Sequence, residues 1–352
     1  MSAEPTPTRV PGADPAVVGP YLARVLDEAA WADCTVQAIA GGRSNLTYTV
    51  DSAAGSVVLR RPPLRAVRPT AHDMTREHRV LSALAGTAVP VPRPLHLCSD
   101  PDVLGAPFYV MERVDGVIAR GSLPPGYADT PAEREAMTRG LVDVLAELHS
   151  VDPDAVGLTG FGRPDGYLAR QVRRWLGEWE ALRDTDAPGV DALAADLAGR
   201  MPSSPSGPVV HGDYRLDNVV LDRSDPGRVA AVLDWEMSTL GDPLADVGLL
   251  LVYWQQGRAR DPAVVTRSVT ALPGFPTRGQ VLAWYAERTG RDVSALPWYV
   301  AFGFFKLAVV VAGIVARQKA GAMVDNTDSG LAGVIEPLAD SGRTALADTV
   351  PN

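Results

Sequence analysis

The run His211-Gly212-Asp213-Tyr214-Arg215-Leu216-Asp217-Asn218 places an aspartate and an asparagine five residues apart, and Val232-Leu233-Asp234 ends the next β-rich run on a second aspartate. Phosphoryl transfer from a nucleoside triphosphate asks a protein mainly for positioning and charge neutralisation. One carboxylate must orient the attacking hydroxyl and accept its proton, and Mg²⁺ wants hard oxygen ligands such as Asp and Asn. On this reading Asp213 is the base, and Asn218 and Asp234 hold the metal. The bland alternative is that HGD and LDN are turn chemistry. Their order, spacing and strand context together weigh against it.

HGDYRLDN followed by VLDWE resembles the catalytic loop and metal-binding aspartate of the aminoglycoside phosphotransferase family, a branch of the protein-kinase fold. The combination of FGRP (161–164), YLARQ (167–171), RRW (173–175), VLDWE and TLGDPLAD is similar to one branch, which includes kinase-like domains found beside acyl-CoA dehydrogenases. The resemblance covers residues 38–321. It implies a two-lobed α+β fold of the protein-kinase type, with a small β-rich N-lobe and a large helical C-lobe. It also implies ATP (with GTP as the alternative) and Mg²⁺ as cofactors, and an alcohol group of a small molecule as acceptor. Arg215 takes the place of the kinase catalytic-loop lysine that reaches the transferred phosphate. His211 and Asp246 are expected to fix the loop backbone by hydrogen bonds.

The nucleotide site should come from the N-terminal part. Gly41-Gly42-Arg43-Ser44-Asn45 lies between two strand-like runs, where Gly42, Ser44 and Asn45 could approach phosphate oxygens; a simple hairpin turn is the competing reading. The chain has only two lysines, Lys306 and Lys319, so the usual strand lysine is missing. Alternate strand residues share a face. Val58 would then meet the adenine and Arg60 the phosphates, while Arg61 points the other way. Arginine is a workable but not neutral replacement, being permanently charged and wider. Glu77 on the next helix is the ion-pair candidate for Arg60. The run 108–114 resembles a kinase hinge, with Met111, Glu112 and Val114 at the adenine edge.

Two features bear on the acceptor. Only six residues separate Asp234 from Gly241-Asp242-Pro243, too few for the activation segment with which protein kinases hold a polypeptide. Tyr167, Arg170, Gln171 and Trp175, with Glu236, are candidate acceptor-pocket residues. An arginine-bearing wall suits an anionic or CoA-linked compound better than a polycationic antibiotic. The reading is thus an ATP- and Mg-dependent small-molecule kinase, acting on a hydroxyacyl-CoA-like or other anionic metabolite. An aminoglycoside or macrolide phosphotransferase is the alternative, and a catalytically silent nucleotide-binding module is the alternative of another class.

The elements that must position these residues follow from patterning. Short β-rich runs at 36–39, 46–50 and 56–60, a helix at 71–84, and strands at 95–98 and 108–114 make a small mostly β lobe. Helices at 21–31, 130–149, 167–182 and 190–200 frame it and follow it, and Thr130, Pro131 and Glu133 spell a capped helix start. Residues 1–20 read as a disordered lead, 21–113 as the nucleotide lobe, 114–340 as the catalytic lobe and 341–352 as a flexible tail. In 352 residues with a net charge of −9, no basic face for nucleic acid is expected. Two distant cysteines suggest a reduced, cytoplasmic protein. The apolar run 298–316 is long enough to raise a membrane question, but Lys306 at its middle favours a buried helix and no membrane partner.

Overall fold

The computed structural model describes residues 10–39, 45–64, 73–182, 186–204, 207–256, 268–319 and 330–347. Gly42 and Ser44 lie outside them. The chain divides into two compact units: residues 1–115 with 231–236, and residues 116–230 with 237–352.

The first unit begins with α1 (Pro15–Val25) and carries β1 (Cys34–Ala38), β2 (Leu46–Ser52), β3 (Gly55–Arg61), α2 (Met74–Leu84), β4 (Pro94–Cys98), the short α3 (Pro101–Leu104) and β5 (Phe108–Glu112). The strands form one antiparallel sheet in the order β1-β2-β3-β5-β4. Strand alternation sends Val57 and Leu59 of β3 into a core with Val18 and Leu22 of α1, Tyr48, Val50, Phe108 and Val110. Arg61 shares that face: its guanidinium donates to the carbonyls of Gly12 and Leu104. Val58 and Arg60 therefore belong to the other face. α2 starts where the Asp73 carboxylate accepts from the Arg76 amide, and it buries Met74, Glu77, Val80, Leu81 and Leu84.

The expected disordered lead is corrected over its last six residues. Asp14 caps α1 by accepting from the Ala16 amide, and Pro15 at the first helical position needs no N–H partner. Pro20, which reads as a break in the sequence, is tolerated inside this helix.

The second unit contains α4 (Pro131–Ser150), α5 (Tyr167–Glu180), α6 (Pro188–Gly199), β6 (Val209–Val210), β7 (Val219–Leu221), β8 (Val229–Val232, whose last two residues belong to the first unit), β9 (Thr239–Leu240), α7 (Pro243–Tyr253), α8 (Arg278–Thr289), α9 (Leu296–Lys319) and α10 (Ile335–Ala347). Thr130 and Glu133 close the capping box at the start of α4. β6 pairs with β9 on either side of the catalytic-loop sequence.

By length and composition α9 could cross a membrane, yet 72% of its apolar window is buried inside the protein. It packs against α5, α6, α7 and α10. The expected flexible tail is also corrected: α10 continues to Ala347 because Leu338, Ala339 and Gly342 are buried against this helical layer.

α7 and α9 meet closely at Gly248, where an added Cβ would stand 2.6 Å from the Tyr299 carbonyl carbon. Backbone on backbone cannot yield as a flexible side chain can. Gly248→Ala should therefore lower folding stability by about 1–3 kcal/mol, read as a lower urea midpoint with an unchanged slope.

Candidate active site

In the second unit β6 delivers the chain into the loop at His211. Asp246, on the first turn of α7, is fully buried, and its two oxygens accept from the amides of His211 and Gly212 at 2.7 Å each. His149 Nε2 lies 3.2 Å from the same carboxylate, and its Nδ1 meets the Tyr285 hydroxyl at 2.8 Å. Burial would push the Asp246 carboxyl up, but hydrogen bonding and charge from His149, the charge of His211 and the His211 amide hold it below the usual aspartate range. Gly212 adopts φ +87°, and a Cβ there would meet the Met237 carbonyl oxygen at 2.7 Å. Tyr214 ties the loop to α4 through its hydroxyl on the Leu141 carbonyl.

Asp213 emerges from this frame with 30% of its side chain exposed. Asn218 Nδ2 donates to the Asp213 carbonyl at 2.8 Å and to its Oδ2 at 2.9 Å. The amide of Asn218 is thus turned so that its oxygen remains for another ligand. Arg215 sits between Asp213 (3.6 Å) and Asp217 (3.3 Å), with its guanidinium 4.5 Å from the centre of the Tyr253 ring. It is engaged with its own loop. Burial pushes the Asp217 carboxyl up, against the lowering charges of Arg215 and Arg120.

In the first unit Arg60 is the hub. Its Nε lies 2.9 Å from Glu77, and one terminal nitrogen lies 2.5 Å from Asp234 Oδ1 and 3.2 Å from Glu236. Asn45 bridges Glu77 and Glu236, donating to each at 2.9 Å, and Tyr109 donates to Glu77 at 3.0 Å. Burial works against the Arg60 charge, but Glu77, Tyr109, Asp234 and Glu236 hold it above the ordinary arginine range. Asp234 has φ +67°, a left-handed conformation unusual for aspartate. Such strain collects at sites whose geometry serves function. Its Oδ2 makes no hydrogen bond to any described residue.

At the strand edge, Met111 is buried and pairs with Val58. The Glu112 amide already donates to the Arg93 carbonyl, so adenine contacts there would fall to the Glu112 carbonyl and to Val114.

The acceptor candidates do not gather as expected. Glu236 belongs to the Arg60 cluster, where Asn45 and Arg60 both donate to its Oε2. Arg170 folds back onto the carbonyls of Arg163 and Asp165 and caps its own turn. Tyr167 is buried beneath Gly241, and Gln171 is half-buried on α5. Trp175 is 9% exposed, and its Nε1 has no hydrogen-bond partner. Lys306 interacts electrostatically with Asp213. From the sequence it serves only as a charge that disfavours a membrane span.

Asp246→Asn would set an amide nitrogen against donors that need an acceptor. It should cost about 3 kcal/mol in urea unfolding. The first unit carries a pH signature. Glu77 is pushed up to about 7 by burial, with Glu236 and Asp234 adding to the rise and Arg60 and Tyr109 opposing it. A carboxyl raised above 4.5 stabilises the fold at low pH, and that contribution disappears as pH climbs through about 7. Unfolding free energy measured across this window should fall with pH, and Glu77→Gln should flatten the slope.

A family model described as the phosphotransferase enzyme family matches residues 35–284. Acyl-CoA dehydrogenase family member 11 of Rattus norvegicus is 36% identical over 311 residues, covering 88% of this chain but 40% of that protein. The chain thus spans less than half the length of this relative. A solved Ralstonia eutropha protein, provisionally described as an aminoglycoside phosphotransferase, is 32% identical with a TM-score of 0.79, covering 95% of this chain and 98% of its own. A thermostable mutant of aminoglycoside phosphotransferase APH(4)-Ia, in ternary complex with ADP and hygromycin B, superposes with a TM-score of 0.61 at 16% identity, covering 94% and 99% of the two chains. That last likeness concerns the fold alone. With the family model matching most of its length, the chain belongs to the phosphotransferase enzyme family and has its kinase-like fold, a β-sheet N-lobe and a helical C-lobe.

Proposed function

We propose that this phosphotransferase moves the γ-phosphoryl group of ATP to a hydroxyl of a small molecule. The observation that carries the reading is the Asp213–Asn218 pair, oriented by direct hydrogen bonds on a loop whose backbone Asp246 fixes. Asp213 holds the acceptor hydroxyl in line and takes its proton as the new O–P bond forms and the bond from the γ-phosphorus to the bridging oxygen breaks, releasing ADP. Arg60 is the charged group for the nucleotide phosphates, in place of a strand lysine, and Glu77 holds it in position. Val58 and the strand edge at Met111, Glu112 and Val114 receive the base.

Asn218 in the second unit and Asp234 in the first each keep an oxygen that bonds to no described residue, and such oxygens are the donor type a hard divalent cation takes. Among the described residues no group of three or more His, Cys, Asp or Glu could hold a metal by itself. Mg²⁺ takes one or two protein oxygens and fills its shell with phosphate oxygens and water. When bound it would neutralise charge developing on the phosphates.

The six residues between Asp234 and Gly241 favour a small acceptor over a polypeptide. Relatives named as acyl-CoA dehydrogenase family members support an acyl-CoA-like metabolite, and an antibiotic is the competing acceptor. Asp213→Asn should lower turnover by about 10²–10⁴-fold while leaving nucleotide affinity, read by calorimetry, within a factor of about two. Undiminished turnover would remove Asp213 from the base role.

A further inference from the structure

Lys306 stands alone in the apolar stretch of α9, with Phe305 and Leu307 buried on either side. Its ammonium makes no hydrogen bond or ion pair to any described residue. It lies 5.5 Å from the centre of the Trp175 ring, on α5. Burial pushes it below the ordinary lysine range, Asp213 and Asp246 draw it back up, and Arg174 repels it. The Arg174 guanidinium lies 5.7 Å from the same ring. Trp175, nine-tenths buried, has an indole N–H with no acceptor.

A lysine in such a place is costly. Lys306 is partly exposed, but its surroundings still disfavour the ammonium, and the buried Trp175 N–H without an acceptor costs further free energy. Leucine or methionine would fill the position on α9 more cheaply. Lys306 and the indole N–H thus present two donors at one ring, neither with an acceptor among the described residues, and both lie in the unit that carries Asp213. An isolated oxyanion of a ligand would satisfy both donors.

We propose that Lys306 and the indole N–H of Trp175 form the anion-binding half of the acceptor site, selecting a hydroxyl compound that carries a carboxylate or phosphate near the reacting hydroxyl. The inference rests on the reading of Asp213 as the group that orients that hydroxyl. It separates this protein from enzymes for polycationic acceptors, because the positive charges of Lys306 and Arg174 beside the ring repel ammonium groups. Lys306 binds and orients the substrate; it takes no proton in the transfer.

The test uses the full chain with a panel of straight-chain hydroxy acids, their phosphorylated counterparts, and matching neutral diols and amino alcohols. Affinity is read by calorimetry and by tryptophan fluorescence, without nucleotide. At least one anionic member should bind, weakening more than tenfold in Lys306→Met, less in Lys306→Arg, and severalfold in Trp175→Phe. Mg-ATP affinity should be unchanged in all three. Lys306→Met should also melt at a higher temperature than the parent, since a binding lysine is carried at the expense of stability; a purely structural lysine would melt lower when replaced. The proposal is overturned if no anionic compound binds at millimolar concentration, if binding survives Lys306→Met unchanged, or if amino alcohols bind better than the acids. Phosphorylation of neutral or cationic alcohols, unaffected by Lys306→Met, would overturn this inference while leaving the phosphotransferase reading intact. Lysine-dependent anion binding without phosphoryl transfer would keep the anion site but overturn its assignment to a phosphoryl acceptor.

Discussion

A carboxylate with no access to water, Asp246, accepts two backbone amides at the mouth of the catalytic loop and is itself held by His149. Everything that Asp213 can do depends on that contact. Amides at His211 and Gly212 left without an acceptor would cost free energy in the buried interior, so the loop is pinned just ahead of Asp213. The left-handed turn at Gly212, with Met237 pressed against it, removes the remaining freedom. Tyr214 anchors the far side on α4. Asp213 can therefore stay partly exposed without wandering, and Asn218 holds its carboxylate by a direct hydrogen bond. The arrangement separates burial from exposure: the supporting charge is hidden, and the working charge is presented.

The first unit solves a different problem, the absence of a strand lysine. A guanidinium offers several donors, and Arg60 spends them on Glu77, Asp234 and Glu236 together. Three carboxylates around one cation leave the cluster net negative, and the charges of Glu236 and Asp234 add to the rise that burial imposes on Glu77. A cluster of that sign favours a divalent cation and disfavours bare phosphate. The reading that nucleotide arrives with its metal follows from this charge balance as much as from the family.

Much of this was legible in the sequence where a short pattern maps directly onto local geometry. Asp213, Asn218 and Asp234 could be singled out because loop spacing alone brings an acid and an amide together. Arg60 could be separated from Arg61 because strand alternation has period two, and the structure places Arg61 on the α1 face. The illegible parts depend on contacts distant in sequence. Glu236 reads as an acceptor residue until Asn45 and Arg60, nearly two hundred residues earlier, claim it. Arg170 reads as a pocket wall until its guanidinium turns onto carbonyls of the preceding turn. The start of α1 was hidden in a polar, proline-rich lead, whereas the cap at Asp14 commits the chain to helix. Lys306 was noticed only as a charge that disfavours a membrane span, because nothing local indicates that Asp213 is the charge it feels.

The central claim, transfer of the γ-phosphoryl group to a small-molecule hydroxyl, is tested most directly by incubating the protein with Mg²⁺ and ATP labelled with ¹⁸O in the γ-phosphoryl group, together with a mixed pool of hydroxyl compounds, and following products by mass spectrometry. The account predicts ADP in equal amount to a pool member that has gained the labelled phosphoryl group. ATP left intact with every acceptor, or consumed only to inorganic phosphate, would contradict it.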